Sequence, residues 1–214
     1  MLNKKALILF LAALPLTIIL SGCSGGVNGE GTNQYSQTNG TTVVRGSSFN
    51  DSGWDLITKG QYESAITMFN KVLGDSPTDE EAAEANNGLG WAKSRLGKLE
   101  DGMLWFERAI SHSHDAKVGL AGAYIQRSSK ADLEMAADLL YKQLGGENPH
   151  FKYTPRRQTG VTDAECHAML AYAFAAIGRA EEATEQLEYA KELQPEWASS
   201  TSDQIGRMVD FLMK

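Results

Sequence analysis

The sequence predicts an all-α chain: about four helix-turn-helix repeats closed by a C-terminal helix and preceded by a leader and a disordered linker. Three observations predict it. First, Gly60, Gly97 and Gly178 are each followed by the same ladder of residues. Five positions on stand Ala65, Gly102 and Ala183, nine on Phe69, Phe106 and Leu187, and twelve on Val72, Ala109 and Ala190. Offsets of five, nine and twelve share one face of an α-helix. Second, the residues seven before each glycine are small (Gly53, Gly90, Ala171), and those six before are aromatic (Trp54, Trp91, Tyr172). The unit is therefore two helices joined at a glycine. Third, the composition changes near residue 48, upstream of which the chain is rich in Gly, Ser, Thr and Asn.

In chain order, residues 1–22 read as a secretory leader: Lys4 and Lys5, an apolar run from Ala6 to Leu20, then small residues. The run is short for a span, which needs about 20 apolar residues, and Pro15 interrupts it. Leu20-Ser21-Gly22-Cys23 resembles the bacterial lipobox. That resemblance implies a diacylglycerol thioether on Cys23, the only covalent group expected, with no cofactor. Ser24, where an Asp favours inner-membrane retention, implies the outer membrane, facing the periplasm. Residues 23–48 carry too few apolar side chains to offset the entropy of ordering and are expected to form a flexible tether.

Residues 49–195 hold the repeats. A third copy lacks the glycine but keeps Ala121, then Ala137, Tyr141, Leu144 and Pro149, with four extra residues expected in its turn around Ser128 to Lys130. The ladder resembles the tetratricopeptide (TPR) repeat, which implies an α-solenoid whose first helices line a concave groove. Thr78 with Glu81 and Thr162 with Glu165 have capping-box spacing and mark helix starts. An insertion at residues 145–161 lengthens the last interval. After Pro195, residues 196–214 carry Ile205, Met208, Val209 and Leu212 as a stripe, expected to be a capping helix.

The charge balance narrows function. The 20 basic against 27 acidic residues give −7, and −9 once Lys4 and Lys5 are removed, so phosphate backbones are not attracted. His112 and His114, which Asp115 could join, stand at i and i+2 and do not share a helix face, so no metal site is expected there. Cys166 beside His167 points at most to a thiol-dependent enzyme, but adjacency on a helix separates the two side chains. The acidic runs Asp79 to Glu84 and Glu181 to Glu188 suit helix starts. No phosphate loop, nucleophile elbow or HExxH is present, and no catalytic residue is expected.

Two regions carry the expectation of binding. Four-residue steps along the first helices select Asn50, Trp54, Asn87, Trp91, Arg95, Gln126 and Tyr172 as groove candidates for a peptide. The same aromatics fit equally well as inter-repeat core. The insertion carries Lys152, Tyr153, Arg156 and Arg157, a basic and aromatic cluster suited to an anionic partner or lipid headgroup, or a plain exposed loop. The resulting expectation is a lipid-anchored interaction scaffold for another envelope protein or peptide. Rival expectations are a pilotin-like assembly factor for a pilus or secretion complex, and self-association through the Trp197 region and the last helix.

Overall fold

The computed structural model describes residues 46–214. The expected leader, the expected acylation at Cys23 and the expected linker up to residue 45 lie outside the described residues. Among the described residues nine α-helices follow one another: α1 Gly46–Thr58, α2 Tyr62–Gly74, α3 Asp79–Arg95, α4 Leu99–Ala109, α5 His114–Arg127, α6 Lys130–Ala137, α7 Asp163–Ala176, α8 Ala180–Leu193 and α9 Thr201–Leu212. A π-helical stretch, Asp138–Leu144, continues α6, and a 3-10 turn, Trp197–Ser199, precedes α9. The expected all-α solenoid is what the chain forms. The first helix begins at Gly46, three residues before the expected boundary at Phe49, where the Ser47 N–H donates to Glu81 Oε1 at 3.1 Å.

The helices pair as α1/α2, α3/α4, α5/α6 and α7/α8, each pair packing on the next, and α9 closes the stack against α7 and α8. The first helices also touch in a row, α1 on α3, α3 on α5 and α5 on α7, so they make one continuous layer. Both expected capping boxes form: Glu81 N–H donates to Thr78 Oγ1 and Glu165 N–H to Thr162 Oγ1, each at 3.2 Å, with the reciprocal bonds also present.

Two of the small residues in the ladder, Gly53 and Gly90, admit rings, and Gly102 admits the close approach of Ser94 and the α3 backbone. Phe69 of α2 is wedged between Gly53 and Gly88, where a Cβ at Gly53 would stand 2.5 Å from the ring. Phe106 of α4 is held the same way between Gly90 and Gly119. Each ring thus packs its own pair and the following one.

The intra-pair turns are alike, including the third. Gly60, Gly97 and Gly178 have φ of 71°, 75° and 86°, a region that costs little only without a Cβ. Ser128 takes the same place, seven residues after Ala121, with φ 57°. The four extra residues expected in that turn are therefore absent from it. The residue equivalent to Ala65 and Gly102 is Leu133, and Ala137 lies one helical turn further, at the position of Phe69 and Phe106. A smaller side chain there goes with the π-helical continuation that follows.

Candidate functional site

The groove candidates are mostly buried. Trp54 is 4% exposed and stands edge-on to Phe69 at 5.7 Å, and Trp91 is 9% exposed and edge-on to Phe106 at 5.5 Å. Tyr172 is buried, which raises its phenol pKa. One residue beyond the small packing residue, Trp54 and Trp91 each turn toward the second helix of their pair. Of the two expectations for these side chains, the structure favours inter-repeat core over exposed groove wall. Asn50 donates through Nδ2 to Glu81 O at 3.1 Å and so ties α1 to α3. Its Oδ1, that of Asn87, and the indole Nε1 atoms of Trp54 and Trp91 are buried without a hydrogen-bond partner. Gln126 is half-buried on α5.

Arg95, another of the groove candidates, binds the protein's own chain. Its Nη2 donates to Thr159 O at 2.9 Å, across 64 residues of sequence. This bond belongs to a series in which the insertion runs along the first-helix layer. At its start, Gln186 Nε2 donates to Pro149 O at 2.9 Å. His167 lies between Phe151 O and Gln186 Oε1, 2.9 and 2.6 Å from its ring nitrogens. The Phe151 ring rests on His167 at 4.3 Å between centroids. The Tyr153 N–H donates to Asp163 Oδ1 at 2.8 Å, and its hydroxyl to Asp115 Oδ1 at 2.9 Å.

Asp115 organises the middle of the insertion. It is 2% exposed, and besides the Tyr153 hydroxyl it accepts the backbone N–H of Arg156 at 3.2 Å and of Arg157 at 3.0 Å. The Arg157 guanidinium pairs with Glu84 of α3 and donates to Asp51 of α1 at 2.9 Å. Arg156 reaches Glu84 Oε2 at 3.2 Å. Burial, then the neighbouring Asp115 charge, pushes the Tyr153 phenol pKa well above its ordinary value, so it stays a hydrogen-bond donor at neutral pH.

Of the insertion-loop residues expected to contact an anion, Tyr153 is turned inward and Arg157 is half-buried, whereas Lys152 and Arg156 are exposed. Both arginines have carboxylate partners on the first-helix layer, Arg156 on Glu84 and Arg157 on Glu84 and Asp51. Lys152 alone of the four is exposed without such a partner described. Between this segment and the layer lies a cavity of about 330 Å³, lined by Glu80, Glu84, Asn87, His114, Arg156 and Arg157 among others.

Sequence reasoning misses Asp51, Glu84 and Asp115 as site residues. Glu84 reads as part of an ordinary acidic helix start and Asp115 as a companion of His112 and His114, and only the lone basic cluster at Arg156 and Arg157 hints that complementary acids should exist elsewhere. Cys166 is fully buried, and burial raises its thiol pKa above the ordinary range. Its neighbour His167 is engaged by Phe151 and Gln186 instead. Among the described residues no group of three or more metal-ligating side chains forms, and no helix is long and apolar enough to cross a membrane.

No family model matches the chain. One curated relative, a chloroplastic protein of Arabidopsis thaliana, is 32% identical over 63 residues, 29% of this chain. The match spans only 19% of that protein's length. Among solved structures, TTC0263, a thermophilic TPR protein of Thermus thermophilus, superposes with a TM-score of 0.56 at 22% identity, covering 75% of this chain and 80% of that one. A structure of MamA MSR-1 gives 0.51 at 20% identity, covering 78% and 92%. The chain has the fold of the tetratricopeptide-repeat proteins.

Proposed function

We propose that this protein is a lipid-anchored TPR scaffold of the bacterial envelope that binds a peptide or protein segment on its first-helix face and performs no catalysis. One observation carries the reading. A stretch of extended chain, the insertion itself, is already seated along α3, α5 and α7 by backbone and side-chain hydrogen bonds, so the face can hold extended polypeptide. Peptide recognition of this kind combines main-chain bonds for affinity with side-chain pairing for choice of partner. Acylation at Cys23 would confine the scaffold and its partner to one thin layer, raising their effective concentration so that weak contacts suffice.

Site-specific photocrosslinking in intact cells tests this. Crosslinkers at the exposed cavity-rim positions Glu80 and His114 are expected to trap an envelope protein, whereas one at exposed Leu104 of α4 is not. Trapping at Leu104 alone, or at none of the three, would sink the reading. Fatty-acid labelling that disappears in Cys23→Ser tests the anchor separately.

A further inference from the structure

We infer that Thr154–Gln158 is a built-in ligand on the first-helix face, and that the partner is a protein presenting an extended segment with paired arginines that replaces it at Glu84, Asp51 and Asp115. The inference rests on the scaffold reading above and names the chemistry of its partner.

The insertion divides into anchors and a strap. Phe151 and Tyr153 on one side, and Thr159 and Val161 on the other, are buried. Between them Thr154, Pro155, Arg156 and Gln158 are exposed, and Arg157 is half-buried. The strap therefore covers little apolar surface and can leave while its anchors stay. Its hold on the layer is made of two backbone N–H groups on Asp115 and two guanidinium groups on Glu84 and Asp51. None of these bonds depends on the strap's being part of this chain. Any extended segment with adjacent arginines offers the same donors.

The layer also dictates the charge of a replacement. The Glu84 side chain is 10% exposed and Asp115 is buried, whereas the Arg156 side chain is 73% exposed. Withdrawing the strap costs the well-hydrated arginine little but takes from Glu84 its two guanidinium partners and from Asp115 two of its three donors, so an occupant that restores them is favoured. The face accordingly exchanges one cationic occupant for another instead of standing empty. Arginine fits better than lysine, because a planar guanidinium can serve Glu84 and Asp51 together, as Arg157 does. The tethered strap competes at high effective concentration, so an incoming segment needs contacts beyond the arginines or the shared confinement of the membrane layer.

The test uses the full chain and a fluorescent synthetic peptide of the sequence from Pro149 to Val161, followed by anisotropy. The R156A/R157A protein, its strap weakened, is expected to bind the peptide about tenfold or more tightly than the unaltered protein. Adding Glu84→Gln should remove that gain, and a peptide with both arginines replaced by alanine should not bind. Equal affinity for the unaltered and R156A/R157A proteins, or affinity that survives Glu84→Gln, would overturn the inference. Should R156A/R157A lose its helical signal, a protein with Thr154–Gln158 replaced by five Gly and Ser residues takes its place. Collapse of that protein as well would make the strap part of the core and overturn the inference too. Crosslinking at Glu80 separates the two proposals. A partner trapped equally with and without R156A/R157A leaves the scaffold standing and defeats the strap, while a positive peptide result with no partner trapped in cells does the reverse.

Discussion

The seam between the first two helix pairs and the seam around the insertion hold the solenoid together by different means. In the first, rings make the contact: Phe69 lies between Gly53 and Gly88, with Trp54 edge-on, and Phe106 and Trp91 repeat the arrangement one pair later. In the second, Asp115, Glu84 and Asp51 gather two arginines and a tyrosine from a segment with no helix of its own. Ring-on-glycine packing is short-ranged, dry and repeats with the chain. The polar seam is built once, from residues far apart in sequence, and its outer edge is wet. The first kind stabilises the fold, and the second leaves part of itself removable.

Breaking the dry seam should have the largest effect. Trp91→Ala is expected to cost about 3–5 kcal/mol, from lost burial and the cavity beside Phe106, read as a lower denaturant midpoint with reduced helical signal. Little loss there would place Trp91 outside the core. Asp115→Ala should cost less, about 2 kcal/mol, since three donors lose their acceptor but those of the strap can turn to water. Helical content should stay intact while the Arg156 and Arg157 amides exchange faster with solvent. A loss as large as that of Trp91→Ala would erase the distinction between the two seams.

A smaller effect is expected from acid. The hydrogen-bonded Arg127 guanidinium holds the Asp132 carboxyl below its ordinary pKa, and Ser129 adds to the effect. Hydrogen bonds from Gln143 and Lys142 do the same for Asp138, as Arg179 does for Glu182. A carboxyl with a depressed folded-state pKa contributes stability fully above its unfolded pKa, and that contribution is lost as pH falls through the folded value. Thermal midpoints should therefore decline from about pH 4 downward, with a shallower slope in Arg127→Gln. Finally, Cys166 should show almost no reaction with a thiol reagent at neutral pH until the chain is unfolded, because its thiol is buried and its pKa raised. Rapid labelling of the folded protein would reopen the thiol-enzyme expectation.

What is legible in the sequence follows the same division. The glycine ladder and the two capping boxes mark helix pairs, because those requirements are local and recur at fixed spacing. In the third pair the sequence points to Ala137 as the small residue instead of Leu133 as its equivalent, since Ser128, standing in a position of positive φ, does not announce a turn as glycine does. Trp54, Trp91 and Tyr172 stand out at one repeat position, but only packing distinguishes a ring turned toward Phe69 or Phe106 from one turned toward a groove. Asp51, Glu84 and Asp115 are invisible as a set. Their juxtaposition is created by the return of a segment 42 residues beyond Asp115 and 106 beyond Asp51.

That return changes the mechanics of the whole array. In an open repeat protein each unit meets only its neighbours, and the stack flexes like a spring, fraying from either end. The Arg157–Asp51 bond runs from just ahead of the last pair back to the first helix, like the string of a bow. With the Arg95–Thr159 bond beside it, it ties the first two pairs to the segment that leads into the last one. Were a competing segment to take the place of Arg157, the first helix would lose that tie and keep only its contacts with its neighbours, so occupancy at the middle of the molecule would be felt as compliance at its first pair.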